Sequence, residues 1–179
     1  MDEYSDIVGA VLRDEDLLKK LRPTETSNVN LLLKIRSTSD ADLAGGRAIA
    51  NPPMLALVRA GLVYACDALT ESHMIVQAIP GDEASYWHGM IHRREGDFEN
   101  ARYWFRRTGT LGVFDDIHRA ASAVSSVVAA QPNWDPYLFT GLCEQEKYGD
   151  HDLRDTCVKL QAVEFRGMLE NAWRKSFKA

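Results

Sequence analysis

The sequence predicts an all-α, single-domain helical bundle, and three observations predict it. Apolar residues recur three and four apart along most of the chain, the spacing of one face of a helix. Helix start and stop signals punctuate that pattern at Pro52-Pro53, Pro80-Gly81, Gly96-Asp97 and Pro132. Nowhere do apolar and polar residues alternate in a run bounded by hairpin turns, so no sheet is expected. At 179 residues the chain is the size of one domain and long enough to bury most of its apolar surface.

Tyr4, Ile7, Val8, Val11 and Leu12, followed by Leu17, Leu18 and Leu21, predict a first helix ended by Arg22-Pro23. A short apolar run from Val29 to Ile35 completes an N-terminal helical arm over residues 1–36. Ser37 to Pro53, rich in Ser, Thr, Asp, Gly and Pro, reads as a loop and as the most mobile stretch of the chain. The helical core is expected over 54–179. Pro52 and Pro53 suit a first helical turn, whose N–H groups are unpaired in any case. A long helix then runs from Met54 to about Ile79. Leu55, Leu57, Val58, Leu62, Val63, Cys66 and Leu69 make it apolar around most of its circumference, so it is buried on several sides. Pro80-Gly81 ends it, and Asp82 is placed to cap the helix that follows. Phe114 to Gln131, rich in Ala, Ser and Val, reads as another helix, Asn133 to Gly149 as a shorter one, and Asp150 to Lys175 as the last.

With 45% hydrophobic and 26% charged residues the composition is that of a folded globular protein, which argues against disorder. Arg59, Asp67 and Glu71 interrupt the longest apolar stretch before it reaches the roughly 20 residues that span a bilayer. The opening MDEYSDIVGAVL is acidic and amphipathic, unlike a secretory signal. Cys66, Cys143 and Cys157 are odd in number, far apart and form no CxxC pair, so they read as reduced thiols in a cytoplasmic protein. A net charge of -5 repels nucleic acid and anionic membrane, and neither is expected as a partner. GxxxxGK[ST], GxGxxG and GxSxG are all missing from the sequence, so it offers no phosphate loop, dinucleotide fingerprint or serine elbow.

The most informative stretch runs from Ser85 to Arg107. Gly96 suits the left-handed end of one helix and Asp97 can cap the next, so two antiparallel helices meet there. Gly89 and Ala101 let the backbones approach, while Phe98, Tyr103, Trp104 and Phe105 supply bulk. Gly89, Gly96, Phe98, Ala101 and Phe105 fall at the separations of a single tetratricopeptide repeat, which the hairpin from about Asp82 to Thr108 resembles. The resemblance covers about 30 residues, and no second copy follows at the 34-residue period. An array needs three or more units, so no solenoid is implied. His88 and His92 stand where the repeat has a leucine and a tyrosine. Glu71 to Ala78 and Tyr86 to Arg107 are also similar to a family of uncharacterised microbial proteins that pair SHxxxQ with YWHGxxHRREGD. That resemblance implies a fold unit and no mechanism.

His88 and His92 are four apart on a helix, so both imidazoles project from one face, as in zinc sites. The spacing is shared with the HExxH helix of metalloproteases, but the general-base glutamate of that motif is replaced here by Gly89. A divalent metal ion such as zinc would need further ligands, and His73, Glu71 and Glu164 are the candidates. His73, near the end of the preceding helix with Gln77 one turn on, can approach His88 across the Pro80-Gly81 turn. A polar pocket lined by His73, Gln77, His88, His92 and Arg93 is the other use of such a group. Against both stands the ordinary case of core histidines hydrogen-bonded to their neighbours.

Arg93, Arg94, Arg102, Arg106 and Arg107 face only Glu95, Asp97 and Glu99, a local excess of two positive charges. Arginine forks grip phosphate or carboxylate, but a solvated surface with intrahelical pairs such as Glu99–Arg102 is favoured. Trp87, Tyr103 and Trp104 are read as core, because stacking platforms for bases accompany a basic groove. Two functions follow. The hairpin spacing favours a helical interaction or scaffold protein that presents Tyr86, Met90 and Arg93 to a protein or peptide partner. The three histidines point instead to a metal-dependent enzyme or small-ligand-binding protein with a histidine-lined site between helices.

Overall fold

The computed structural model describes residues 4–178 and is all-helical: among them lie eleven α-helices, one 3-10 turn and no strand. The helices are α1 (Asp6–Arg13), α2 (Val29–Ser37), α3 (Asp40–Leu43), α4 (Pro52–Ala65), α5 (Leu69–Val76), α6 (Asp82–Glu95), α7 (Phe98–Thr108), α8 (Phe114–Ser122), α9 (Ser126–Ala129), α10 (Pro136–Tyr148) and α11 (Arg154–Ser176). The longest, α11, lies along α4 and also packs on α8 and α10. The α6–α7 hairpin bridges α5 on one side and α10 on the other. Ile7 and Val8 of α1 and Leu32 and Ile35 of α2 belong to the same apolar cluster as Leu57, Trp87 and Leu169. The N-terminal arm is therefore part of one core.

Three predicted helices are broken, two where tertiary hydrogen bonds capture the chain and one at a local cap. The first ends at Arg13 rather than near Leu21. Asp14, Glu15 and Asp16 oppose the negative end of a helix dipole there. Beyond them Leu18 adopts a left-handed φ of 63°, while the Leu18 and Lys20 carbonyls accept bonds from the Gln161 amide at 2.6 and 3.2 Å. The long helix predicted from Met54 splits into α4 and α5 at Cys66–Ala68, where Asp67 has φ 61°. Arg94 holds that break, donating to the Tyr64 carbonyl at 3.0 Å and to the Asp67 carboxylate at 2.5 Å. The helix predicted from Phe114 to Gln131 divides into α8 and α9, because Ser125 turns extended and its hydroxyl caps the new start at Val128 N–H.

Ser37 to Pro53, expected to be a mobile loop, is tied down. It contains α3, capped by Ser39, and buries Leu43 and Ala44 completely. Arg59 binds the Ile35 and Thr38 carbonyls and the Asp40 carboxylate, and the Ala50 and Asn51 N–H groups share the Ser176 carbonyl at 2.9 and 3.0 Å. Asp82 does not cap α6: Gly81 holds that position, and Asp82 sits in the first turn with its charge toward the positive helix end.

Candidate functional site

The α6–α7 turn sets the geometry of everything around it. Gly96 takes φ 80°, its N–H bonds to the Arg93 carbonyl at 3.1 Å, and the Asp97 N–H reaches back to the His92 carbonyl at 3.0 Å. These two bonds close a Schellman turn, which satisfies the last carbonyls of α6. Asp97 then caps α7 by accepting from the Asn100 N–H at 3.1 Å. The helices close tightly at Gly89, where an added Cβ would lie 2.3 Å from the Phe105 ring.

One face of α6 carries His88 and His92, and His73 of α5 joins them. Ring centroids are separated by 4.9 Å for His73–His88, 5.2 Å for His73–His92 and 6.4 Å for His88–His92. Trp104 of α7 stacks on His88 at 4.0 Å. His92 Nδ1 lies 2.8 Å from Glu95 Oε2, so a proton on that nitrogen donates to the carboxylate, and the Asn100 amide touches the same ring. His88 and His92 are buried, His73 half-buried. Burial, and then the positive charge that His73 or His92 would carry, push the pKa of His88 down to about 4. At neutral pH His88 is an uncharged imidazole. A cleft of about 510 Å³ is walled by Arg36, Glu71, Met74 and Glu95; Glu95 is its link to the group, and none of the three histidines lines it.

The structure brings the three histidines together and engages the proposed carboxylates elsewhere. Glu71 is held by Arg36 of α2 at 2.5 Å, and Glu164 by Arg93 and Tyr86. The imidazoles meet edge to face and ring over ring, and among the described residues no set of three or more His, Cys, Asp or Glu is arranged to hold a metal ion. Gln77 forms the C-cap of α5 and is exposed.

Arg93 belongs to the opposite face of α6. Its guanidinium forks onto Glu164 of α11 and lies 4.1 Å from the centre of the Phe139 ring. Tyr86 donates to Glu164 Oε1 at 2.7 Å and accepts from Trp134 Nε1 at 2.6 Å. Burial and then the Glu164 charge push the Tyr86 phenol well above its ordinary range, so it stays a donor. Above this network a cleft of about 560 Å³ opens between α7, α8 and the start of α10, over Tyr86, Phe105 and Trp134.

Tyr86, Met90 and Arg93, the side chains expected to meet a partner, are 0%, 0% and 1% exposed. Arg93 and Arg94 are not the solvated charges the composition suggested. Arg102 does pair with Glu99, at 2.8 Å, and also with Glu144. Trp87 is core, while Trp104 is half-buried and Tyr103 exposed. The signal for Arg93 was present in the sequence: it lies seven residues from Tyr86, two helical turns along the same stripe. Among the described residues no helix is long and apolar enough to cross a membrane. Comparison of the chain with protein-family models, with curated proteins and with solved structures returns no match.

Proposed function

We propose that the protein is a small-ligand-binding protein of the cytoplasm whose site is the imidazole group of His73, His88 and His92. The observation that carries this reading is the meeting of three imidazoles from two helices with, among the described residues, no cation or buried carboxylate paired to them as a structural ion pair. Glu95, the single carboxylate at the group, is exposed. His92 already faces Glu95 and the Asn100 amide, so the ring nitrogens open to a ligand are those of half-buried His73 and the second nitrogen of His88. Such a ligand meets His88 as a neutral imidazole, so there it competes with protons only as the pH falls toward about 4. The interaction reading loses its support, because the side chains it would present to a partner lie in the core.

The test is calorimetric titration of the full chain at pH 7.5, with Zn²⁺ alone in one arm and with phosphate and acetate in others. Zn²⁺ is a fair probe because neutral imidazole is a preferred donor to that ion. The expected result is saturable binding in one arm that weakens at least tenfold in both His88→Ala and His92→Ala. Absence of binding in every arm, or binding indifferent to both substitutions, overturns the proposal.

A further inference from the structure

The cleft of about 560 Å³ between α7, α8 and the start of α10 lies over the Tyr86 face of α6, and none of the three histidines lines it. Its volume falls in the range of small-molecule sites, roughly 300–1,000 Å³. The floor is built of rings. Tyr86 packs 5.0 Å from Phe105 and 5.2 Å from Phe114, centroid to centroid, and Trp134 completes the layer. Exposed Tyr137 stands 6.3 Å from Phe105 as a side wall. This floor is fixed in place: the Tyr86 hydroxyl is engaged by Glu164 at 2.7 Å and by Trp134 Nε1 at 2.6 Å, and Phe105 is wedged against Gly89. Tyr86 and Trp134 therefore offer a ligand shape and apolar surface, not hydrogen bonds.

The charged groups stand at the rim, and they carry both signs. Among the described residues Arg106 of α7 is the one basic side chain lining the cleft, and Asp115 of α8 and Asp135, which caps α10, are the acidic ones. Asp135 is committed to its own helix, accepting from the Tyr137 N–H at 2.8 Å. Neighbouring charges are paired. Arg102, one turn before Arg106, meets Glu99 and Glu144, and Asp116, next to Asp115, meets Arg119. The side chains of Arg106 and Asp115 are exposed and, among the described residues, make no ion pair or hydrogen bond with each other or with any neighbour.

We propose that this cleft is a binding site for a free aromatic α-amino acid, independent of the imidazole group. The ligand's carboxylate meets the Arg106 guanidinium, its ammonium meets Asp115, and its ring lies on the aromatic floor against Tyr137. Each part answers a feature of the cleft. A ligand with only a negative charge would face Asp115 and Asp135 unbalanced, and one with only a positive charge would face Arg106. A zwitterion satisfies both, and at neutral pH the amino and carboxyl groups of a free amino acid are such a pair. The guanidinium fork matches a carboxylate through two parallel N–H···O bonds. The floor selects the ring, because aromatic rings pack edge to face or offset on one another.

The experiment is calorimetric titration of the full chain at pH 7.5 with L-phenylalanine. Separate arms use phenylpropanoate, which lacks the ammonium, phenethylamine, which lacks the carboxylate, and glycine, which lacks the ring. Expected is saturable binding of L-phenylalanine, with each of the other three at least tenfold weaker. Arg106→Gln and Asp115→Asn alter exposed side chains, so both variants should keep the wild-type urea midpoint while binding changes. Arg106→Gln should weaken L-phenylalanine at least tenfold and leave phenethylamine no weaker than before. Asp115→Asn should weaken L-phenylalanine at least fivefold and leave phenylpropanoate no weaker, a crossed pattern that assigns each charge to its partner. Absence of saturable L-phenylalanine binding, binding indifferent to both substitutions, or wild-type binding of phenylpropanoate or phenethylamine as tight as that of L-phenylalanine overturns the proposal.

Discussion

The two faces of α6 solve the same problem in opposite ways. Both bury polar rings and charges beside the hairpin, but on the Arg93 face guanidinium, carboxylate, phenol and indole are joined in one chain of bonds that leaves only Arg93 Nε without a partner. The His88 face has no such chain between charged groups. Its rings contact one another, an indole and an amide, with only exposed Glu95 to balance a charge. A closed network fixes the position of α6 on α11 and has no capacity left for a ligand. An open one costs stability and keeps donors and acceptors free, which is what a binding site requires.

The largest effect is expected where the closed face is broken. Arg93→Met leaves Glu164 buried with only the Tyr86 hydroxyl, and should destabilise the fold by about 3–5 kcal/mol in urea unfolding. Replacing both charges, Arg93→Met with Glu164→Leu, should recover most of that loss, because neither charge is then stranded. A double variant no better than the single one would mean that the fork is net stabilising and not a means of positioning α6. Next in size is the seam between the faces. Gly89→Ala drives a methyl into the Phe105 ring and should cost about 1–3 kcal/mol, read as a lower Tm; Phe105→Leu in the same chain should return part of it.

The sequence made the hairpin legible because its signals are local: Gly96, Asp97 and Gly89 act through neighbours one turn or one helix away. It made the three imidazoles legible for the same reason, since His88 and His92 share a helix and His73 precedes them by one turn of chain reversal. The partners of the arginines were not legible. Glu164 lies 71 residues from Arg93, and Asp67 meets Arg94 only because α4 stops at Ala65, a break that itself depends on Arg94. Periodicity cannot anticipate a helix that ends because a distant side chain takes its carbonyl. The N-terminal segment failed likewise, its leucines buried at helical spacing while Gln161 held its backbone out of the helix.

The open face gives a smaller effect, confined to acid. His88 has its pKa lowered to about 4 from 6.5, so the folded state disfavours its proton. As pH falls below 6.5 the unfolded chain takes up that proton and the folded one does not, so stability declines until about pH 4 and then levels. At about 1.4 kcal/mol per unit the shift amounts to at most about 3 kcal/mol. Urea midpoints measured from pH 7 to pH 4 should show this slope in the wild type and a flatter one in His88→Gln. An unchanged slope in the variant would place the acid sensitivity elsewhere.

The smallest effect separates stability from function. The His92–Glu95 pair joins neighbours on one helix, and Glu95 is exposed, so Glu95→Gln should move the urea midpoint by less than about 0.5 kcal/mol. Its consequence for the ring is larger than its energy. The carboxylate is what favours the proton on His92 Nδ1 and leaves Nε2 as the acceptor, which the Asn100 amide faces at 3.3 Å. A glutamine offers either an acceptor or a donor there, so both tautomers become populated, and long-range nitrogen–proton NMR should show a mixed His92 where the wild type shows one form. Ligand affinity at the imidazole group should fall with that mixing while the fold does not. A core that merely packs histidines would show the tautomer change with no ligand affinity to lose, and the Arg93 face, whose groups have no tautomers to choose between, cannot show the first.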